Sequence, residues 1–332
     1  MATLLALVSQ QRTPDPAPRG ASSGLPLRRL SFYAMATTCE VQYAAPGGDA
    51  QARAFEAAAE AWVRAFEAKY SRFQPTSLVS RINAAAGAGW TPVDPETEAL
   101  LTLCDTMYFT TRGLLDPTAL PVIRLWNWKA EPPVVPPAAA ITEALRKVGW
   151  RKVLRRPGEV RLPEAGMALD FGGFGKEYAV DRVAILARES GIPDCLVDFG
   201  HDLRASGAPP GRPAWHIGLE NPKAPGTSWG SVGLSAKAIA SSGDYLRSFT
   251  LGGRRYGHIL DPRTGWPVSN GCTQATVIAD TCLQAGMLST AAFIAGVEAG
   301  LELIRSCPGA EGLLTTDRER AQTRGFHQFV AS

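Results

Sequence analysis

Apolar and polar positions change period several times along the chain, and each change predicts an element. From Leu30 to Tyr43 the alternation is that of a half-buried strand. Between Ala50 and Lys69, Phe55, Ala59, Trp62 and Phe66 recur at helical spacing, which predicts an amphipathic helix laid over a sheet. SRFQPTSLVSRINAAAG then reads as a loop and a short helix. DPETEALLTLCDTMYFTTRG predicts a helix capped by Asp94, with Pro95 in its first turn and Gly113 at its end. LLDPTALPVIRLWNW is too rich in proline for regular structure, and KAEPPVVPP, residues 129–137, reads as an extended spacer.

The second half of the pattern changes character. After a helix near 138–148 come short strands up to Asp170, a helix from about Gly175 to Ser190 and the strand DCLVDFG. WHIGLENP and SVGLSAKAIASSG read as strands, and YLRSFTLGGRRYGHIL as a hairpin turning at Gly252 and Gly253. Buried helices are expected from about Leu283 to Ala295 and near 297–306. Runs of strands with helices not strictly alternating predict an α+β fold, with mixed or antiparallel sheets covered by helices. Pro14, Pro16, Pro18 and Pro26 among Gly, Ala and Ser mark residues 1–27 as a flexible leader, leaving 28–330 as a single domain.

Composition narrows the choice of partner. Apolar residues make up 45% of the 332, enough for a sizeable core, while a net charge of +3 with interspersed signs gives no footprint for nucleic acid or an anionic membrane. A small-molecule or protein substrate is therefore expected. The six cysteines form no CxxC pair, which signals neither a zinc site nor a disulfide framework. MATLLALVSQ lacks a positive start and a cleavage site, and LRRLSF is followed by a strand-like segment rather than an apolar run. No stretch of about eighteen apolar residues follows, so no transmembrane segment and a cytoplasmic location are expected.

Three segments carry candidate chemistry. In LDFGGFGKEYAVD, Gly172, Gly173 and Gly175 let the chain bend after an expected strand, so that amides at a helix N-terminus can face an anion. The segment matches neither GxxxxGK[ST] nor GxGxxG. Lys176, a cation in the first helical turn, opposes the helix dipole; either an anionic ligand or Glu177 offsets it. His258, expected inside a strand of YGHILDPRTG, is a candidate base or ligand-binding group, with a structural role as the alternative. Asp116, ahead of Pro117 and Thr118, is a turn former or a site residue.

Taken in order, AMATTCEV, SRFQPTSLVSRIN, LLDPTALPVIRLWNW, LDFGGFGKEYAVD, LVDFGHDLRASG, SSGDYLRSF, YGHILDPRTGWPV and ADTCLQAGMLSTAAFIAG resemble the FAD:protein FMN transferases, the ApbE family, over roughly residues 30–316. The resemblance implies a T-fold-related α+β fold with FAD in a central cleft. It implies transfer of the FMN half of FAD to a Thr or Ser hydroxyl of a flavoprotein, with release of AMP and assistance from Mg2+. Met35, Phe73, Leu114, Leu115 and Asp116 would line the FAD site, with Asp170, Lys176 and His258 meeting its polar parts. His258 and Lys176 would be catalytic, His258 as general base. Phe73 stands where the family often has Tyr, keeping a stacking face without the hydroxyl.

The metal-side groups implied are the Gly173 carbonyl, Ser289 and Thr290. Here the chain departs from the family pattern A-D-x-x-x-T, placing Gly286 where an aspartate is expected. Glu177 replaces the glycine of KGY, and GHD at Gly200–Asp202 replaces GGD. Asp261 and Asp280 are candidates for a substitute carboxylate. The alternatives to an active transferase are a non-catalytic FAD-binding accessory paralogue, or a pyrophosphatase giving FMN and AMP.

Overall fold

The structure, a computed structural model, describes residues 24–331 apart from residue 246, so residues 1–23 of the expected leader lie outside the described residues. Strands β1 (Leu27–Ala34) and β2 (Thr37–Ala44) precede helices α1 (Gly48–Tyr70) and α2 (Leu78–Ala84). Strand β3 (Thr91–Pro92) leads to α3 (Pro95–Thr110), α4 (Leu120–Ile123) and α5 (Ala138–Leu145). Strands β4 (Leu154–Arg156) and β5 (Glu159–Arg161) precede α6 (Gly175–Glu189), β6 (Cys195–Phe199), β7 (Asp202–Ser206), β8 (Trp215–Glu220) and β9 (Ser228–Leu234). The chain continues through β10 (Ala238–Gly243), β11 (Ser248–Leu251), β12 (Arg254–Gly257) and β13 (Cys272–Ala279). It closes with α7 (Cys282–Ala295), α8 (Val297–Arg305), β14 (Glu311–Thr316) and β15 (Arg320–Gln322).

Eight strands form one sheet in the order β1-β2-β6-β7-β10-β13-β14-β15, every neighbouring pair antiparallel. Side chains alternate across such a sheet, and the sequence supplies apolar groups for both faces. In β6, Cys195, Val197 and Phe199 pack with α1 and α6 residues Phe55, Val63, Val180 and Val183, while Leu196 joins Trp215 and Phe326 on the other side. In β13, Ala275, Val277 and Ala279 face the cluster containing α7, and Ile278 faces the β8–β9 side. Each large side chain removed from water in this way contributes about 1.5–3 kcal/mol.

Several expected elements take a different form. The single strand expected over Leu30–Tyr43 is a hairpin whose two turn residues, Met35 and Ala36, have φ of 52° and 59°. A two-residue turn with positive φ matches the strand twist, but Gly or Asn is the usual signal for it, and neither is present. The proline-rich segment accommodates the one-turn helix α4, with Pro121 near its start where a missing N–H costs nothing. No strand precedes the glycine loop: Leu169 is instead clamped by Asn83, whose side chain donates to its carbonyl and accepts from its N–H at 2.9 and 2.6 Å. The hairpin at Gly252–Gly253 forms as expected, both glycines having positive φ. His258 lies just beyond its second strand, because pairing ends at Gly257.

Candidate active site

Helix α7 is the spine of the site, and its position is fixed by a buried carboxylate. Asp181 of α6, with 0% exposure, accepts hydrogen bonds from the N–H groups of Cys282 and Leu283 at 2.9 and 3.0 Å and pairs with Arg204 of β7 at 2.7 Å. These two N–H groups belong to the first turn of α7, where no intrahelical acceptor exists and a negative charge is favoured. The Thr281 hydroxyl accepts from Gln284 N–H to complete the cap. Two helices are thereby held in one register.

That register brings Glu177 against Gly286. A Cβ added to Gly286 would lie 2.6 Å from the Glu177 Cγ and 2.9 Å from its Oε1, so the glutamate occupies the volume that a side chain at 286 would need. Glu177 is only 9% exposed, and its Oε2 is buried with no hydrogen-bond partner. Burial, reinforced by the charge of Asp202, pushes its carboxyl well above the usual carboxylate range. Lys176 is not neutralised by Glu177 in an ion pair. Its ammonium pairs with Asp202 at 2.6 Å and donates to the Gly200 carbonyl at 3.3 Å. Burial works against the Lys176 charge, but Asp202 and then Glu177 outweigh it, and the pKa is raised.

One turn further along α7 stands a row of hydroxyls. Ser242 of β10 lies 2.9 Å from the Ser289 Oγ and 2.8 Å from the Thr290 Oγ1, and Ser289 donates to the Gly286 carbonyl at 3.1 Å. Residues three and four apart share a helix face, so Gly286, Ser289 and Thr290 line one strip. The next turn carries Ala291 and Ile294, against which Leu114, Leu115, Ile259 and Val268 pack. Both expected lining leucines and the segment after His258 therefore meet the same helix.

His258 is half-buried; its N–H donates to the Arg247 carbonyl, and its Nδ1 is buried without a partner. Burial, then the charge of Arg247, lowers its pKa, which favours the neutral imidazole. Among the remaining expected residues, Asp170 pairs with Arg72 at 3.1 Å and accepts from Gly172 N–H at 2.9 Å. Gly172 and Gly173 are exposed between the buried Phe171 and Phe174, which anchor the loop. Phe73 is 77% exposed, with the Arg72 guanidinium 4.4 Å from its ring centroid. The Met35 N–H donates to Glu67 at 2.9 Å. Asp116 closes its own turn, accepting from Thr118 N–H at 2.7 Å and Trp150 N–H at 3.1 Å.

The two acids expected as substitute carboxylates are engaged elsewhere: Asp261 with Arg263 in its turn at 2.7 Å, and Asp280 with Lys237. Sequence reasoning missed Asp181, Asp202 and Ser242 as site-building residues. Its available signal was that Glu177 and Gly286 both depart from one motif set, a larger side chain at one position and none at the other.

The class is that of an antiparallel α+β scaffold in which one helix, α7, meets a buried carboxylate of α6, carries hydroxyls bonded to β10 and packs against Ile259, next to His258. The particular family follows from comparison. The ApbE family model matches residues 35–314, and the chain belongs to that family. It is 30% identical over 263 residues to the FAD:protein FMN transferase of Treponema pallidum, covering 74% of this chain and 72% of the relative. The corresponding protein of Haemophilus influenzae is 29% identical, with 82% of each chain covered. Among solved structures, the ApbE protein of Thermotoga maritima superposes with a TM-score of 0.84 at 29% identity, over 92% of this chain and 100% of that one. The Pseudomonas stutzeri flavinyl transferase gives 0.82 at 26%, over 93% and 98%.

Proposed function

We infer that this protein is an FAD:protein FMN transferase, moving the FMN half of FAD onto a Thr or Ser hydroxyl of a target flavoprotein with release of AMP. The observation that carries the reading is the convergence on α7 of the GGFGKE loop's helix, the 242/289/290 hydroxyls and the segment bearing His258, in a chain of this family. FAD would lie along this strip. Its flat ring would meet Phe73 and Met35, Leu114 and Leu115 would support it beside Asp116, and the diphosphate would face the Gly172–Gly173 backbone, Asp170 and Lys176.

The chemistry divides among these residues. His258, kept neutral by burial and the charge of Arg247, takes the proton of the acceptor hydroxyl. The acceptor oxygen bonds to the phosphorus of the FMN half, that phosphorus loses its bond to the bridging oxygen, and AMP leaves with that oxygen. Lys176, held in place by Asp202, keeps a positive charge near the diphosphate. Positioning and charge neutralisation supply most of the catalysis in phosphoryl transfer.

The residues also fit a magnesium ion. Where α6 meets α7 the donors are oxygens, the unpartnered buried Oε2 of Glu177 and the Ser289 and Thr290 hydroxyls. Such a set suits Mg2+, which takes one or two carboxylates and completes its shell with substrate phosphate and water. The Gly173 carbonyl, Ser289 and Thr290 would contribute to holding it, and the bound ion would neutralise charge on the diphosphate. Six buried free thiols suit a reducing compartment, and we take the cytoplasm as the location. Among the described residues no helix is long and apolar enough to cross a membrane.

Incubation with FAD and Mg2+, with and without an acceptor domain, tests the reading by the mass of the acceptor and by AMP release. AMP and FMN-bearing acceptor appearing together support transfer. AMP formed without acceptor assigns the pyrophosphatase reaction, and FAD binding with no AMP assigns the accessory role. His258→Ala should abolish attachment while leaving the unfolding midpoint unchanged; undiminished transfer removes His258 from the mechanism.

A further inference from the structure

We propose that Glu177 is a ligand of the divalent cation, reaching across from α6 to place its carboxylate where Gly286 leaves α7 without a side chain. The inference rests on the reading of this strip as a metal-assisted diphosphate site. Four observations carry it. The glutamate fills the space beside the Gly286 Cα, 2.6 Å from where a Cβ would stand. It is buried, and one of its oxygens meets no donor, which is costly for a carboxylate unless a ligand completes it. The cation next to it in sequence, Lys176, is paired with Asp202 at 2.6 Å. The hydroxyls of Ser289 and Thr290 follow on the same face of α7, three and four residues beyond Gly286, so carboxylate and hydroxyl oxygens share one strip. A hard cation with oxygen ligands is the species that such a set selects.

The two positions therefore act as a complementary pair. An aspartate at 286 would collide with Glu177, and a glycine at 177 would leave the strip without a carboxylate at this point. The exchange variant, Glu177→Gly with Gly286→Asp, moves the carboxylate from α6 to α7 without adding or removing a charge.

Mn2+ serves as the probe, titrated into the full-length protein saturated with FAD and without acceptor, the free ion being followed by its electron paramagnetic resonance signal. Glu177→Gln should weaken Mn2+ binding at least tenfold with FAD affinity in metal-free buffer unchanged, and the exchange variant should recover most of the loss. Wild-type affinity in Glu177→Gln overturns the proposal and leaves Glu177 as an acid that shares a proton with Asp202. If Glu177→Gln fails to fold, the exchange variant decides alone: wild-type-like Mn2+ binding supports the proposal and its loss overturns it. Absence of Mn2+ binding by the wild-type protein with FAD overturns both this proposal and the magnesium assistance, whereas Mn2+ binding without FMN transfer would overturn the transferase reading alone.

Discussion

Asp181→Ala removes one carboxylate from three donors at once, and its cost can be worked from their surroundings. Asp181 is 0% exposed and Arg204 is buried, so the 2.7 Å pair lies out of water. Breaking a buried pair by deleting one partner costs about 3–5 kcal/mol. The Cys282 and Leu283 N–H groups also lose their acceptor, at about 1–3 kcal/mol for a buried donor left dry. The contributions share one side chain and do not add in full, so the expected loss is about 3–5 kcal/mol, a large share of the 5–15 kcal/mol that holds a typical domain. Asp181→Asn keeps one acceptor oxygen and should lose roughly half as much. Urea unfolding followed by circular dichroism gives the change through the midpoint at constant slope. Transfer activity should fall further than the folded fraction, because the register between Glu177 and Gly286 depends on this anchor. A loss below about 1 kcal/mol in the alanine variant would refute the reasoning, since it would mean that Arg204 and the helix start are satisfied without Asp181.

Two further outcomes are expected. Phe73→Ala should weaken FAD binding by about 1–3 kcal/mol, the scale of an aromatic stacking contact, and leave the unfolding midpoint alone because the ring is 77% exposed; quenching of flavin fluorescence measures the first and urea the second. Asp94 caps α3 through Thr97 N–H, and although burial opposes it, Lys69 and Thr97 hold its carboxyl at about 2. A depressed pKa contributes stability that is present above the unfolded value of about 4 and lost as pH falls towards 2, so Asp94→Ala should be less stable than the parent at pH 6 by about 1 kcal/mol and converge with it near pH 2. A constant gap from pH 6 to pH 2 would contradict the assignment.

Much of this fold was legible because its helices announce their ends. Asp94 and Pro95 mark the start of α3, and the apolar spacing of Phe55, Ala59 and Phe66 marks the buried face of α1. The β1–β2 turn was not legible, since Met35 and Ala36 adopt positive φ without the residues that usually permit it, and only the Met35 bond to Glu67 reveals the constraint. The strand CTQATVIA carries no clean alternation, because both of its faces are buried. His258 and Lys176 stood out in the sequence as residue types that carry their own chemistry. The site was opaque where chemistry depends on packing between distant segments. Glu177 and Gly286 lie more than a hundred residues apart in sequence, and nothing local shows that one stands in the space of the other.

Gly173 separates two demands that usually fall on the same residue. A Cβ there would meet no atom within 4 Å, and its φ lies outside the left-handed region, so the folded chain itself places no steric limit on the position. Gly87, by contrast, has a φ of 81° and would drive a Cβ to 2.8 Å from the Ala165 nitrogen. Selection for folding alone would hold Gly87 and let Gly173 drift to alanine or serine. The fold therefore demands glycine at 87 and leaves 173 open, so the exposed crest of the loop can change without disturbing Phe171 and Phe174, which anchor it.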